Sequence, residues 1–140
     1  MAVLDTSFLI AKIKADDRFH EEAGDADLAG HPLWIPAEIW LEFCELTGRS
    51  LGGLAKMFQN SVLEQPFQIR AFLDPTDLVR LTERNEQLRP LLLRAGLSPL
   101  SLFDLVVCLV AQRLNDAILT FDQGIIWAVR NRHFPGARIA

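Results

Sequence analysis

Five short apolar runs alternate along the chain with stretches in which apolar residues recur every three or four positions. The runs Ala2–Leu4, Leu33–Ile35, Phe67–Phe72, Ala117–Phe121 and Ala137–Ile139 are too short for amphipathic helices and read as largely buried strands. Helical spacing covers Ser7–Ala15, Ala37–Leu46, Leu51–Val62, Pro75–Arg94 and Ser101–Leu114, with a shorter stretch near Ile125–Val129. Strands alternating with helices predict an α/β fold, a parallel sheet covered on both faces. No repeat, low-complexity segment or linker interrupts the pattern, so residues 1–140 are expected to form one domain.

That sheet gives the acids a location. In an open parallel α/β sheet, ligands bind beyond the carboxyl ends of the strands. Asp5 ends the first strand of "MAVLDTSFLIAK", with the hydroxyls of Thr6 and Ser7 behind it. Asp122 closes "AILTFD", and Asp104 lies near the start of the helix that runs back beneath that strand. Three carboxylates from distant parts of the chain are thus expected at one edge. Asp116 precedes its strand and belongs to the opposite edge. Each acid also has a plainer reading. Asp5 suits a helix N-cap, Asp104 completes a capping box with Ser101 in "SLFD", and Asp122 heads the turn-like "DQG". Capping alone gives no reason for three acids to share an edge.

The helix "AEIWLEFCELTG" carries Glu38, Glu42 and Glu45 on one face and Ile39, Phe43 and Leu46 on the other. An ordinary amphipathic helix, with Glu45 paired to Arg49, accounts for that stripe. Helix direction brings Glu38 nearest the ligand edge, and Glu42 one turn further in.

Composition narrows the field. Half the residues are apolar, which suggests surface reserved for a partner or a second copy. No apolar stretch reaches the roughly 20 residues of a membrane span, and the N-terminus lacks the pattern of a signal peptide. Cys44 and Cys108 sit in apolar helical patterns as small hydrophobes, so a cytoplasmic protein is expected. A formal charge of −4 argues against a general nucleic-acid coat protein, although metal ions would offset clustered acids in a nuclease. Lys12, Lys14 and Arg18 follow the opening motif, and Arg130, Arg132 and His133 lie near the C-terminus. Each group reads either as a solvated face or as a substrate contact. His20, His31 and His133 share no zinc-type spacing, and neither a dinucleotide fingerprint nor a phosphate loop is present. "SLGG" at Ser50–Gly53 is a weak loop signal. A nucleophilic-aspartate phosphatase usually carries D-x-D, and here the third position is Ser7. No Ser or Cys has a histidine obviously placed to activate it. Trp34, Trp40 and Trp127 fit a core or an interface better than base-stacking platforms.

"VLDTSFLIA", "IPAEIWLEF" and "LSLFDLVVCLVAQRLNDAILTFDQGI" resemble, in order and spacing, the PIN domain, particularly VapC-like ribonuclease toxins of type II toxin–antitoxin pairs. The resemblance covers essentially the whole chain. It implies a three-layer α/β/α sandwich around a central parallel sheet, and a ribonuclease dependent on Mg²⁺ or Mn²⁺. By position it makes Asp5, Glu42, Asp104 and Asp122 the catalytic and metal-binding acids, with Ser7 and Thr120 as supporting hydroxyls. For the helical acid the resemblance selects Glu42 where helix direction mildly favours Glu38, so Glu38 stays in reserve. "DQGII" departs from the family, which often carries a further aspartate after Asp122, and a second metal would be held more weakly here. The resemblance implies products with a 5′-phosphate and a 3′-hydroxyl. It also implies a homodimer inhibited by a small antitoxin, docked in an apolar groove that Leu51–Val62 would help to line. The alternatives are a PIN nuclease of RNA processing without an antitoxin, a non-catalytic PIN-like scaffold binding RNA or protein, and, more distantly, a phosphatase.

Overall fold

The computed structural model describes residues 2–26, 32–48 and 67–140. The helix expected over Leu51–Val62, the "SLGG" stretch and Arg49 lie outside them.

Strand β1 (Ala2–Leu4) is wholly apolar, with Val3 and Leu4 fully buried. Such a strand cannot stand at a wet edge, and it occupies the middle of the sheet. Val3 lies opposite Trp34 of β2 (Leu33–Pro36) on one side and Ile118 of β4 (Ala117–Leu119) on the other. Beyond β2 comes β3 (Phe67–Arg70), whose Gln68, Ile69 and Arg70 are exposed. Beyond β4 comes the two-residue β5 (Arg138–Ile139). The order is β3-β2-β1-β4-β5, and every pairing is parallel. The outer strands are shorter or more polar than the centre, as unpaired edges require.

Six helices among the described residues complete a three-layer α/β/α sandwich. Helix α1 (Thr6–Ile13) starts one residue after β1, and α3 (Ala37–Thr47) starts directly after β2. Helix α4 (Pro75–Arg94) opens with Pro75 behind a reciprocal Asp74–Asp77 capping box. Helix α5 (Leu102–Leu114) is the greasy "LFDLVVCLVAQRL", and its apolar excess is spent inside the fold. Leu105, Val106, Val107, Cys108, Val110 and Ala111 are all buried, and the helix touches β1, β2, β4 and α3. Asn115 ends it in the left-handed region at φ 55°, which a short amide side chain tolerates. Helix α6 (Gln123–Arg130) follows β4 and lies against α5 and β5.

Buried Asp77 accepts two charge-assisted bonds from Arg113, so the start of α4 is tied to the end of α5. Those bonds hold the Asp77 carboxyl below its ordinary range.

Helix α2 (His20–Asp25) has no counterpart among the expected elements. "HEEAGD" buries Ala23 alone and has no apolar period to read. It is held from outside, by His20 Nδ1 lying 2.6 Å from the Ala11 carbonyl and by its contact with α1. Phe72 and Phe121 continue their strands' apolar pattern but fall beyond the ladder ends. Cys44 and Cys108 are both free thiols. No helix of the described residues is long and apolar enough to cross a membrane.

All five strands run the same way, so their carboxyl ends share one edge. Asp5 leaves β1 there, and Thr120, Phe121 and Asp122 leave β4 there. Helix α5 precedes β4 and runs antiparallel to it, which returns Asp104 to the same edge. Asp116 enters β4 at the other end, buried, with one oxygen 4.0 Å from Arg138 Nη2.

Candidate active site

Asp5 occupies the N-cap position of α1, yet its side chain makes no capping bond. Its Oδ2 instead accepts from Ser7 Oγ at 2.8 Å and from Thr120 Oγ1 at 2.7 Å. Each hydroxyl is itself held by the backbone beyond β4. Phe121 N donates to Ser7 Oγ at 3.0 Å, and Asp122 N donates to Thr120 Oγ1 at 3.0 Å. Two arms thus lead from adjacent amides through hydroxyls to one carboxylate oxygen. The Asp5 amide donates to Leu119 O at 3.1 Å and brings β1 and β4 into line.

The other acids surround this pair of strands. Thr6, the residue between Asp5 and Ser7, donates its hydroxyl to Glu42 Oε1 across the gap between α1 and α3. Successive residues in a first helical turn point about 100° apart. Ser7 therefore reaches back to Asp5, while Thr6 reaches sideways to Glu42. Glu38, one turn nearer the start of α3, is half-buried, and its Oε2 has no hydrogen-bond partner.

Asp104 and Ser101 form the reciprocal box: Ser101 N donates to Asp104 Oδ2 at 2.9 Å, and Asp104 N to Ser101 Oγ at 3.1 Å. Asp122 caps α6 through Oδ1, which accepts from Ile125 N at 2.9 Å. The capping-box reading of Asp104 is therefore correct as a local description, whereas Asp122, read as heading a turn, caps a helix instead. Capping does not exhaust the arrangement, because the charge of Asp122 bears on Asp5, Glu42 and Asp104.

Burial pushes the Asp5 carboxyl up, the two hydroxyls pull it down, and the charge of Asp122 raises it again. Glu42 is raised first by desolvation, against the Thr6 bond, and then by the charges of Asp5 and Asp122. Asp104 is pushed up to about 7, chiefly by burial, then by the charges of Asp122 and Asp5. Beneath them lies the buried Cys108 thiol, one turn after Asp104 on α5. Its pKa rises through burial and through the charges of Asp5, Asp104 and Asp122. Such a thiol stays protonated and unreactive.

The donor set is four carboxylates, the hard oxygen chemistry that Mg²⁺ and Mn²⁺ prefer. The hydrogen bonds above engage one oxygen of each acid, and each keeps a second oxygen outside them. As the side chains stand, no group of three or more His, Cys, Asp or Glu among the described residues closes on a point that would hold a cation. The residues fit a divalent ion by donor type and by the mutual repulsion it would relieve. Enclosing one requires side-chain rotation.

Thr6 is the site residue that sequence reasoning leaves without a role. Its signal is the adjacency of two hydroxyls after Asp5, since one helical turn cannot aim both at the same acid. Gly124, in the first turn of α6, is a second such position. A Cβ there would lie 2.7 Å from Leu100 Cδ2 and 3.2 Å from Asp122 Oδ1.

A parallel α/β sheet with acids gathered at its carboxyl edge puts them where such sheets bind ligands. The chain belongs to the PIN domain family, whose model matches residues 2–128. PIN domains are generally nucleases, and PIN nucleases generally use divalent metals. Membership suggests a nuclease that binds RNA. No curated protein matches the chain at a significant level.

Proposed function

We propose that this protein is a metal-dependent endoribonuclease that hydrolyses RNA phosphodiester bonds. The observation that carries the reading is the gathering of Asp5, Glu42, Asp104 and Asp122, from four separate segments, at one sheet edge, where the charge of Asp122 raises the pKa of the other three. A structural role gives no reason to gather carboxylates this way, where the charge of Asp122 raises the cost of ionising Asp5, Glu42 and Asp104.

In this reading Asp5, Glu42, Asp104 and Asp122 would hold Mg²⁺ or Mn²⁺. When bound, such an ion would supply an activated water and a positive charge to offset that developing on the phosphate. Ser7 and Thr120 fix the orientation of Asp5, and Thr6 fixes that of Glu42. The Ser101 box and the α6 cap hold Asp104 and Asp122 by one oxygen each while the other faces its task. Such support keeps oxygen ligands in register without adding charge.

We further propose that residues 1–140 act as one nuclease domain. We place it in the cytoplasm as the homodimeric toxin of a VapC-like toxin–antitoxin pair, inhibited by a small antitoxin. The support for this finer reading is the likeness of the three quoted motifs to VapC-like toxins. A small open reading frame just upstream, encoding a protein that binds this one and blocks cleavage, would support it. A nuclease of RNA processing would have no such neighbour.

A non-catalytic RNA- or protein-binding scaffold is the second reading. It is favoured by the local bonds that already occupy one oxygen of each acid. One experiment separates the two: incubation of purified protein with structured RNA in Mg²⁺ or Mn²⁺, with EDTA and Asp5→Asn as controls. The nuclease reading expects cleavage that both controls abolish while the fold survives. Intact RNA with the wild-type protein and either metal would favour the scaffold. Undiminished cleavage by pure Asp5→Asn protein would remove Asp5 from the chemistry.

A further inference from the structure

Beside the acids runs a cleft of about 430 Å³ whose lining joins Ser7 and Asp122 to Asp17, Arg18, Phe19 and Phe121. The wall is built in layers. Phe121, between Thr120 and Asp122 in sequence, stacks on Phe19 with centroids 4.5 Å apart and parallel planes. The Arg18 guanidinium lies over the Phe19 ring, 4.4 Å from its centroid. Asp17 Oδ1 accepts from Phe19 N at 2.8 Å, which fixes the turn that presents Arg18. No described residue holds the Arg18 guanidinium in an ion pair.

Stacking and the cation–π contact are favourable without a ligand, yet they leave the guanidinium's donors open to one. Asp17 and Asp122 face the same cleft, and Arg18 is the cation among its lining residues. A cation free of ion pairs and set on an aromatic layer is pre-organised: ring contact limits its rotamers, while its N–H donors stay available. The groups that suit such a cation are phosphates and the faces of bases.

We propose that this cleft binds the nucleotide next to the scissile one in a single-stranded RNA. Arg18 takes its phosphodiester, and the Phe19–Phe121 layer sets the distance from that phosphate to the acids. The proposal rests on the nuclease reading for its direction, because it treats Asp122 as the point where cleft and reaction meet. The cleft thereby acts in substrate positioning, separately from the acids that perform the chemistry.

The test has two arms. In the first, kcat and KM are measured on a short unpaired RNA for wild type, Arg18→Ala and Arg18→Lys. Arg18→Ala is expected to raise KM about tenfold with kcat within about twofold, and Arg18→Lys to recover part of the loss. In the second, a labelled RNA oligomer is titrated by fluorescence anisotropy in Mg²⁺ at several salt concentrations. The proteins compared are Asp5→Asn and Asp5→Asn with Arg18→Ala. Loss of one phosphate contact should reduce the slope of log affinity against log salt by about 0.7. If wild type cleaves and Arg18→Ala matches it in KM and salt slope, the cleft proposal is wrong while the nuclease reading stands. If wild type does not cleave at all, the nuclease reading falls, and the salt slope still decides the cleft. An unchanged slope there would discard it. Phe19→Leu guards against a misfolded variant, because it should keep the salt slope and still raise KM.

Discussion

Thr6 and Glu42 are joined by a hydrogen bond from hydroxyl to carboxylate, although 36 positions separate them in sequence. The bond places the acid of α3 against the first turn of α1 and partly offsets the desolvation of Glu42. Thr6→Val preserves shape and removes the donor. Bonds to charged groups are worth about 1.5–3 kcal/mol, so cleavage should fall by about tenfold or more. Circular dichroism should show an intact fold. Unchanged kcat/KM would mean that Glu42 does not depend on this bond for its position.

Asp5→Asn should abolish cleavage and at the same time raise Tm in metal-free buffer at pH 7.5. Asp5 is 2% exposed, and burial raises its pKa, so its ionised form costs stability that the amide does not. The amide oxygen can still accept from Ser7 and Thr120. Adding Asp104→Asn should lower activity little further, because residues that act as one unit are non-additive. Multiplicative losses in the double variant would instead assign the two acids independent roles.

Apo stability should fall as pH rises toward neutrality. Asp104 titrates near 7 in the folded protein against an ordinary value of 3.8, so between those limits the folded state binds the extra proton. Its contribution is fully present below about pH 4 and lost as pH climbs through 7. Thermal scans in EDTA from pH 5.5 to 7.5 should show a declining Tm, and Asp104→Asn should flatten the decline. Added Mg²⁺ should flatten it too, since a bound cation favours the deprotonated acids. A rising Tm over that interval in EDTA, made steeper by Asp104→Asn, would contradict the assignment.

Gly124→Ala separates helix propensity from site geometry. Alanine in a helix is ordinarily favoured over glycine by up to about 1 kcal/mol. Here the new methyl meets the flexible end of Leu100 at 2.7 Å and Asp122 Oδ1 at 3.2 Å. Leu100 can move aside, whereas Asp122 is held by its cap bond to Ile125. Tm should change little while the apparent Kd for Mn²⁺ rises severalfold. Calorimetric titration with Mn²⁺ checks the second half, and an unchanged Kd would show that Asp122 tolerates displacement.

Much of this architecture was legible in the amino-acid order. β1 and the sheet centre are readable because a fully buried strand must be wholly apolar, and "AVL" has no other use. The 20-residue α4 announces both ends, with Asp74–Pro75 at one and Arg94 before Gly96 at the other. The edge carrying Asp5, Asp104 and Asp122 follows from strand direction alone. Helix α2 is not readable, since tertiary contacts hold it and its own six residues carry no periodic signal. The choice between Glu38 and Glu42 is unreadable for another reason. Both share a helical face; Glu42 is met by Thr6 from a different helix, while Glu38 keeps a buried oxygen without a partner among the described residues. Thr6 itself hides in plain view, its direction fixed by a turn geometry that letters do not display. The stack of Arg18, Phe19 and Phe121 joins positions about a hundred residues apart, beyond any local pattern.

The 115-residue span between Asp5 and the Thr120 hydroxyl that steadies it has a meaning for synthesis on the ribosome. β1 is made before β4, and one flank of it waits for β4 while the residues between them are added. Before then Asp5 has Ser7 beside it but neither Thr120 nor Asp122, and a product truncated before β4 lacks that side of the candidate site. In the proposed nuclease, a nascent chain short of β4 is therefore expected to leave RNA uncut, and competence to follow once Thr120 and Asp122 have been added.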